Sequence, residues 1–154
     1  MIELSPSEIR IALLVGGICQ TESMRQALKN AHGYKGALGL DIHIEGAAAE
    51  MAYCKARGVY WSAGVNTFKA ADVGRKVQIR STKLKDGCLI VRESDHDDHY
   101  YVLVVGQIPT FEVVGWMLGR DAKRPEWKRS PEGREEAFFV PQNKLRKFTP
   151  ASAK

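Results

Sequence analysis

The chain has 154 residues, 44% of them hydrophobic and 27% charged, the size and balance of one globular domain able to bury its own core. No run approaches the ~18 apolar residues of a membrane span, and Glu3 and Glu8 around the start of the apolar run at 11–18 argue against a secretory leader. Three scattered cysteines, Cys19, Cys54 and Cys88, contain no CxxC pair and predict plain thiols in a reducing, cytoplasmic setting rather than a disulfide framework or zinc knuckle.

The net charge of +5 is unevenly spread. Residues 1–50 hold four Lys/Arg against six Asp/Glu, and residues 120–147 hold nine against five. The basic C-terminal third therefore suits a polyanion such as nucleic acid, with a solvated surface as the other reading.

"SPSE" at 5–8 has the pattern of a capping box with proline at the first helical position. It predicts a helix over 6–29 with Ile9, Leu13 and Ile18 as its apolar stripe. Gly16-Gly17 weakens the middle of that helix and points to a close helix contact or a break. After the glycine-rich connection "HGYKGALG", the spacing of Ile44, Ala47, Ala48 and Met51 predicts a second helix over 41–57, stopped at Gly58 behind Lys55 and Arg57. Glu50 falls at the rim of its apolar face.

Beyond residue 58 the period becomes two. Strands are expected over 59–61, 67–72, 77–82, 88–92, 100–106 and 110–116, with "KDG" and "QIP" as turns. The continuous apolar run at 100–106 predicts a strand buried on both faces, Val102 and Val104 to one side, Leu103 and Val105 to the other. Residues 119–135 read as a long, basic, Pro-containing loop with a helical turn, "AFFV" as a short closing strand, and 149–154 as a frayed tail. The fold class is α/β (α+β): helices first, then a mixed, mostly antiparallel sheet of about five strands, in one domain over 1–148.

The stretch "ADVGRKVQIRSTK" at 71–83 asks for an explanation. If Gly74-Arg75-Lys76 forms a three-residue hairpin loop, Val73 faces Val77 and Asp72 faces Gln78, with Arg80 two residues further on the same face. An acid, an amide oxygen and a cation then converge, and Glu50 on the preceding helix is a candidate second carboxylate. The plain alternative is a hairpin in which Asp72 supports the turn and Arg80 makes an ion pair.

The order of "GAAAEMAYCKARG", "AADVG" and "VQIRST" resembles the PD-(D/E)XK nuclease superfamily, over about 70 residues from 46 to 116. That resemblance implies a restriction-endonuclease-like fold and a metal-dependent endonuclease acting on DNA, borne by a phage or mobile element. Glu50, Asp72, Gln78 and Arg80 would be catalytic. Mg²⁺ or Mn²⁺ would be held by Asp72, the Gln78 amide, the Ile79 main-chain carbonyl and Glu50. Gln78 stands where the family has an acid, and Arg80 where it has lysine. Arginine stays protonated and cannot serve as a base. The alternative function is a catalytically inactive nuclease fold that binds DNA or protein. Relatives that cut junctions or duplexes act as dimers, so a homodimer is a possible state.

Lys83, Arg120, Lys123, Arg124, Trp127 and Lys128 are the expected nucleic-acid contacts, cations for phosphates and an exposed Trp127 for stacking. "ESDHDDHY" at 93–100 gathers His96, His99 and several acids. It lies in a loop without helical i, i+4 spacing, so a metal site there is the lesser reading.

Overall fold

The computed structural model describes residues 1–25, 40–64, 71–131 and 135–151. The first helix, α1, spans Pro6–Arg25, and the final residues of its expected range lie outside the described ones. Its start is a closed capping box: the Ser5 N–H donates to Glu8 Oε2 at 2.6 Å, and the Glu8 N–H donates to Ser5 Oγ at 3.3 Å. Lys55 Nζ from the second helix donates to the same carboxylate at 2.8 Å.

The apolar stripe expected on α1 is corrected. Leu13 and Ile18 are exposed, and the buried positions are Ala12, Val15, Gly16 and Gln20. Small side chains win that face because α2, Leu40–Arg57, passes so close. A Cβ built on Gly16 would lie 2.6 Å from Ile44 Cα, whereas one on Gly17 meets nothing within 4 Å. Adjacent glycines therefore predict opposite effects. Gly16→Ala is expected to cost about 1–3 kcal/mol through overpacking. Gly17→Ala should gain up to about 1 kcal/mol from helix propensity. Urea denaturation of the two variants checks both signs.

The first strand, β1, is Ile2–Glu3. Downstream of α2 follow β2 (Val77–Thr82), β3 (Leu89–Val91), β4 (Tyr100–Gln107) and β5 (Thr110–Leu118). A one-turn helix α3 (Gly119–Ala122), β6 (Lys128–Arg129), β7 (Ala137–Val140) and β8 (Arg146–Lys147) complete the chain. The main sheet has the order β1-β5-β4-β2, with β8 also on β5. It is mostly antiparallel, and β2 runs parallel to β4, Val77 opposite Tyr100 through Thr82 opposite Val105. A second sheet, β3-β7-β6, was not anticipated from the alternation.

Three layers result, with β4 in the middle. Val102 and Val104 join Ile79, Phe111 and Val113 beneath Ala47, Ala48, Met51 and Ala52 of α2. Leu103 and Val105 join Tyr101 and Met117 against Leu89, Val91, Phe138 and Val140 of the second sheet. The continuous apolar run at 100–106 is thus buried on both faces, as its composition required.

Two local expectations are corrected. Residues 59–61 form no strand; Val59 and Tyr60 are exposed as the chain leaves α2. The strand expected over 67–72 lies outside the described residues except Ala71 and Asp72, which are not in a strand. The start of the expected tail is also tied down: the Ala151 N–H donates to the Ala56 carbonyl at 3.0 Å, and Arg57 Nη1 to the Thr149 carbonyl at 3.2 Å. No helix among the described residues is long and apolar enough to cross a membrane.

Candidate active site

The hairpin at 71–83 forms as its turn chemistry dictates. Val73 and Val77 exchange main-chain hydrogen bonds at 3.1 and 3.3 Å, and Gly74 takes the left-handed conformation, φ +62°, that closes the loop. Asp72 then lies beside β2, where its Oδ2 accepts the Ile79 N–H at 2.6 Å. Burial raises its pKa, and the Ile79 N–H and the Arg80 charge pull it back down.

Glu50 approaches Asp72 from α2. Burial pushes its carboxyl up to about 7, Asp72 pushes in the same direction, and a 3.1 Å hydrogen bond from Trp61 Nε1 opposes them. Glu50 also helps raise the thiols of Cys19 and Cys54, after burial, which is the larger cause. Cys54 at about 11 is an inert thiol, and all three cysteines are free. Among the described residues neither Glu50 nor Asp72 makes an ion pair. Two desolvated carboxylates that repel each other form a donor set that fits a divalent cation.

Arg80 is placed differently from Glu50. In the parallel register it sits beside Leu103, on the face turned away from α2. Its Nη2 reaches both carboxylate oxygens of Asp95 at 3.1 Å, and its guanidinium lies 5.2 Å from the Tyr101 ring centre. Asp95 itself accepts the Arg92 N–H at 2.9 Å. Arg80 therefore acts first as a structural cation pinning the loop before β4, while remaining close enough to Asp72 to favour its ionised form. Gln78 shares the face of Arg80 by strand alternation, so the expected convergence is split: Asp72 sits at the strand edge, with Glu50 from one face and Arg80 from the other.

The basic segment is largely consumed within the fold. Trp127, expected to be exposed, is only 7% accessible and belongs to the second core; its proline-led turn tucks the ring inward, and Arg124 covers it at 5.2 Å. Lys123, expected at a phosphate, spends its ammonium on the Glu93 and Asp95 carbonyls and Asp97 Oδ1, at 2.9, 2.6 and 2.7 Å. Lys128 pairs with Glu136 at 2.9 Å. Lys83 pairs with Glu45 at 3.2 Å, on the α2 side opposite Arg80, as strand alternation required. Arg120 remains exposed.

A cleft that sequence reasoning missed opens where α2 ends over the sheet. Tyr53, Arg57, Val77, Tyr100, Trp116, Lys147 and Phe148 line a cavity of about 360 Å³. Tyr100, 41% accessible, meets Trp116 edge-on at 5.4 Å, and Arg146 lies 5.0 Å from the Trp116 ring centre. Tyr53 is one turn along α2 from Glu50, and Val77 immediately precedes Gln78. No local signal unites these residues, because they come from five separate segments. Comparison with protein-family models, characterised proteins and solved structures finds no match to this chain.

Proposed function

We propose that this chain is a metal-dependent endonuclease of the PD-(D/E)XK type that hydrolyses phosphodiester bonds of DNA in the cytoplasm of a bacterial or phage-infected cell. The observation that carries the reading is the Glu50–Asp72 pair: two acids from different elements, desolvated, electrostatically coupled, and neither of them in an ion pair among the described residues, although the Arg80 charge acts on Asp72. Such a pair costs stability unless a cation joins it.

Glu50 and Asp72 would hold Mg²⁺ or Mn²⁺, with the Ile79 carbonyl beside Asp72, all oxygen donors suited to these ions; the Gln78 amide, on the face of Arg80, would not join them. The bound ion supplies charge stabilisation for the phosphoryl oxygens and a more acidic water. The Ile79 N–H keeps Asp72 in place, and Trp61 does the same for Glu50. Arg80, held by Asp95, contributes fixed positive charge and no base. The cleft beside α2 offers aromatic faces for bases and Arg57 and Lys147 for phosphates, the combination that single-stranded nucleic acid uses.

The test is cleavage of branched, single-stranded and duplex DNA with Mg²⁺ or Mn²⁺, with chelator as control, for the parent and for Arg80→Lys. Metal-dependent cleavage by the parent is expected. Arg80→Lys should retain it with reduced stability, because lysine lacks the planar guanidinium that lies over the Tyr101 ring while reaching Asp95. If neither protein cuts any substrate, the nuclease reading fails. DNA binding without cleavage would then leave the inactive binding module, which the engagement of Arg80 by Asp95 favours.

A further inference from the structure

We propose that His96, Asp98 and His99 form a second cation site, for a divalent transition metal of the Zn²⁺, Ni²⁺ and Cu²⁺ class. The turn before β4 brings one ligand atom from each residue to within 4.8 Å of the others. The two imidazole rings face each other, centres 4.6 Å apart and planes tilted by 33°. Imidazole with one carboxylate selects these borderline metals over Mg²⁺ or Ca²⁺. Metal–ligand bonds of about 2.0–2.2 Å would need the three groups to close by a small side-chain rotation. His96 and Asp98, both exposed, have room to make it.

A further observation points to a ligand. His99 Nδ1 is shut away from solvent and has no hydrogen-bond partner, whereas buried polar nitrogens are almost always satisfied. A cation bound in the plane of the His99 ring at Nδ1 would supply the partner this nitrogen lacks. Asp98 is held by Lys76 at 2.7 Å, but both side chains of that pair are more than half exposed, so it competes weakly. One carboxylate oxygen suffices for the metal and the other can keep the lysine.

The frame beneath the site is already rigid. The His96 carbonyl accepts the Tyr101 hydroxyl at 3.3 Å, and the carbonyls of Asp97 and His99 accept the Arg120 and Gly119 N–H groups, each at 2.9 Å. Lys123 ties the preceding residues down. Binding would therefore order little backbone, which lowers its entropic cost.

The test uses the full chain, stripped with chelator and titrated with Zn²⁺ alone by calorimetry. The parent is expected to take up zinc in a step that His96→Ala and His99→Ala each weaken by about tenfold or more, the scale seen when even outer partners of a metal are removed. Asp98→Asn should weaken it less. Asp72→Asn, at the other candidate site, should leave this step unchanged, so the two sites fail or survive separately. Thermal melts confirm folding; should His99→Ala unfold, the exposed His96 carries the test. No zinc uptake by the parent, or uptake that His96→Ala leaves unaltered, overturns the proposal, the second outcome placing the metal elsewhere, for instance on a cysteine.

Discussion

Replacing Glu50 with glutamine is expected to make the metal-free protein more stable at pH 8 while abolishing metal-dependent cleavage. The carboxyl of Glu50 has an ordinary value of 4.5 and is raised to about 7 in the fold. A group whose folded pKa is raised holds its proton more tightly when folded. Its favourable contribution is therefore complete below about pH 4.5 and disappears as pH climbs through about 7. Above that, ionised Glu50 costs about 3 kcal/mol relative to a neutral side chain, at roughly 1.4 kcal/mol per pKa unit. Glutamine keeps an acceptor for Trp61 Nε1 and carries no charge. Urea midpoints at pH 5 and pH 8 should fall between the two pH values for the parent and stay nearly level for Glu50→Gln. Mg²⁺ or Mn²⁺ should restore the parent at pH 8 and leave the variant unmoved. Parallel pH profiles for the two proteins would show that Glu50 is not the desolvated acid described above.

The second large effect belongs to Asp72, whose carboxylate does two jobs. It holds the Ile79 N–H at 2.6 Å and repels Glu50. Asp72→Ala removes both and leaves a main-chain donor without its partner, at about 1–3 kcal/mol. Asp72→Asn keeps an oxygen for Ile79 and removes only the charge, so it separates chemistry from folding. Single-turnover cleavage by Asp72→Asn is expected to drop by about 10²-fold or more, the scale of losing one charge-stabilising contact in a transition state. Its thermal midpoint should stay near that of the parent. In the same variant the Glu50 carboxyl should titrate lower, since one of its two raising causes is gone. Full activity in Asp72→Asn would remove this residue from the metal site.

Much of the architecture was legible because it rests on local or periodic signals. The Ser5–Glu8 capping box, the helix ending at Gly58 and the hairpin closed by Gly74 depend on neighbours a few residues apart, and the strand at 77–82 on its period of two. The burial of 100–106 on both faces followed from an apolar run too continuous to tolerate water on either side.

The candidate site was legible only in part, for the same reason. Strand alternation put Gln78 and Arg80 on one face and Lys83 on the other, and helical spacing set Glu50 at the rim of α2. Neither could say which face of β2 would meet α2. That was decided by the packing of Ala47, Ala48, Met51 and Ala52 onto Ile79, Val102 and Val104, which sends Arg80 to the far side and into the grip of Asp95. The same holds for the basic segment: charge count marked it, yet ion pairs formed across 20 to 30 residues engage Lys123 with Asp97 and Arg146 with Asp121. By itself the sequence determined the two helices, most of the strands and the two-faced central strand, since those follow from period and short-range hydrogen bonding. Only the tertiary structure decided which acid meets which partner, which tryptophan is buried and where the aromatic cleft opens. Those outcomes depend on how layers dock, and docking is set by side-chain volumes on distant segments that no local pattern encodes.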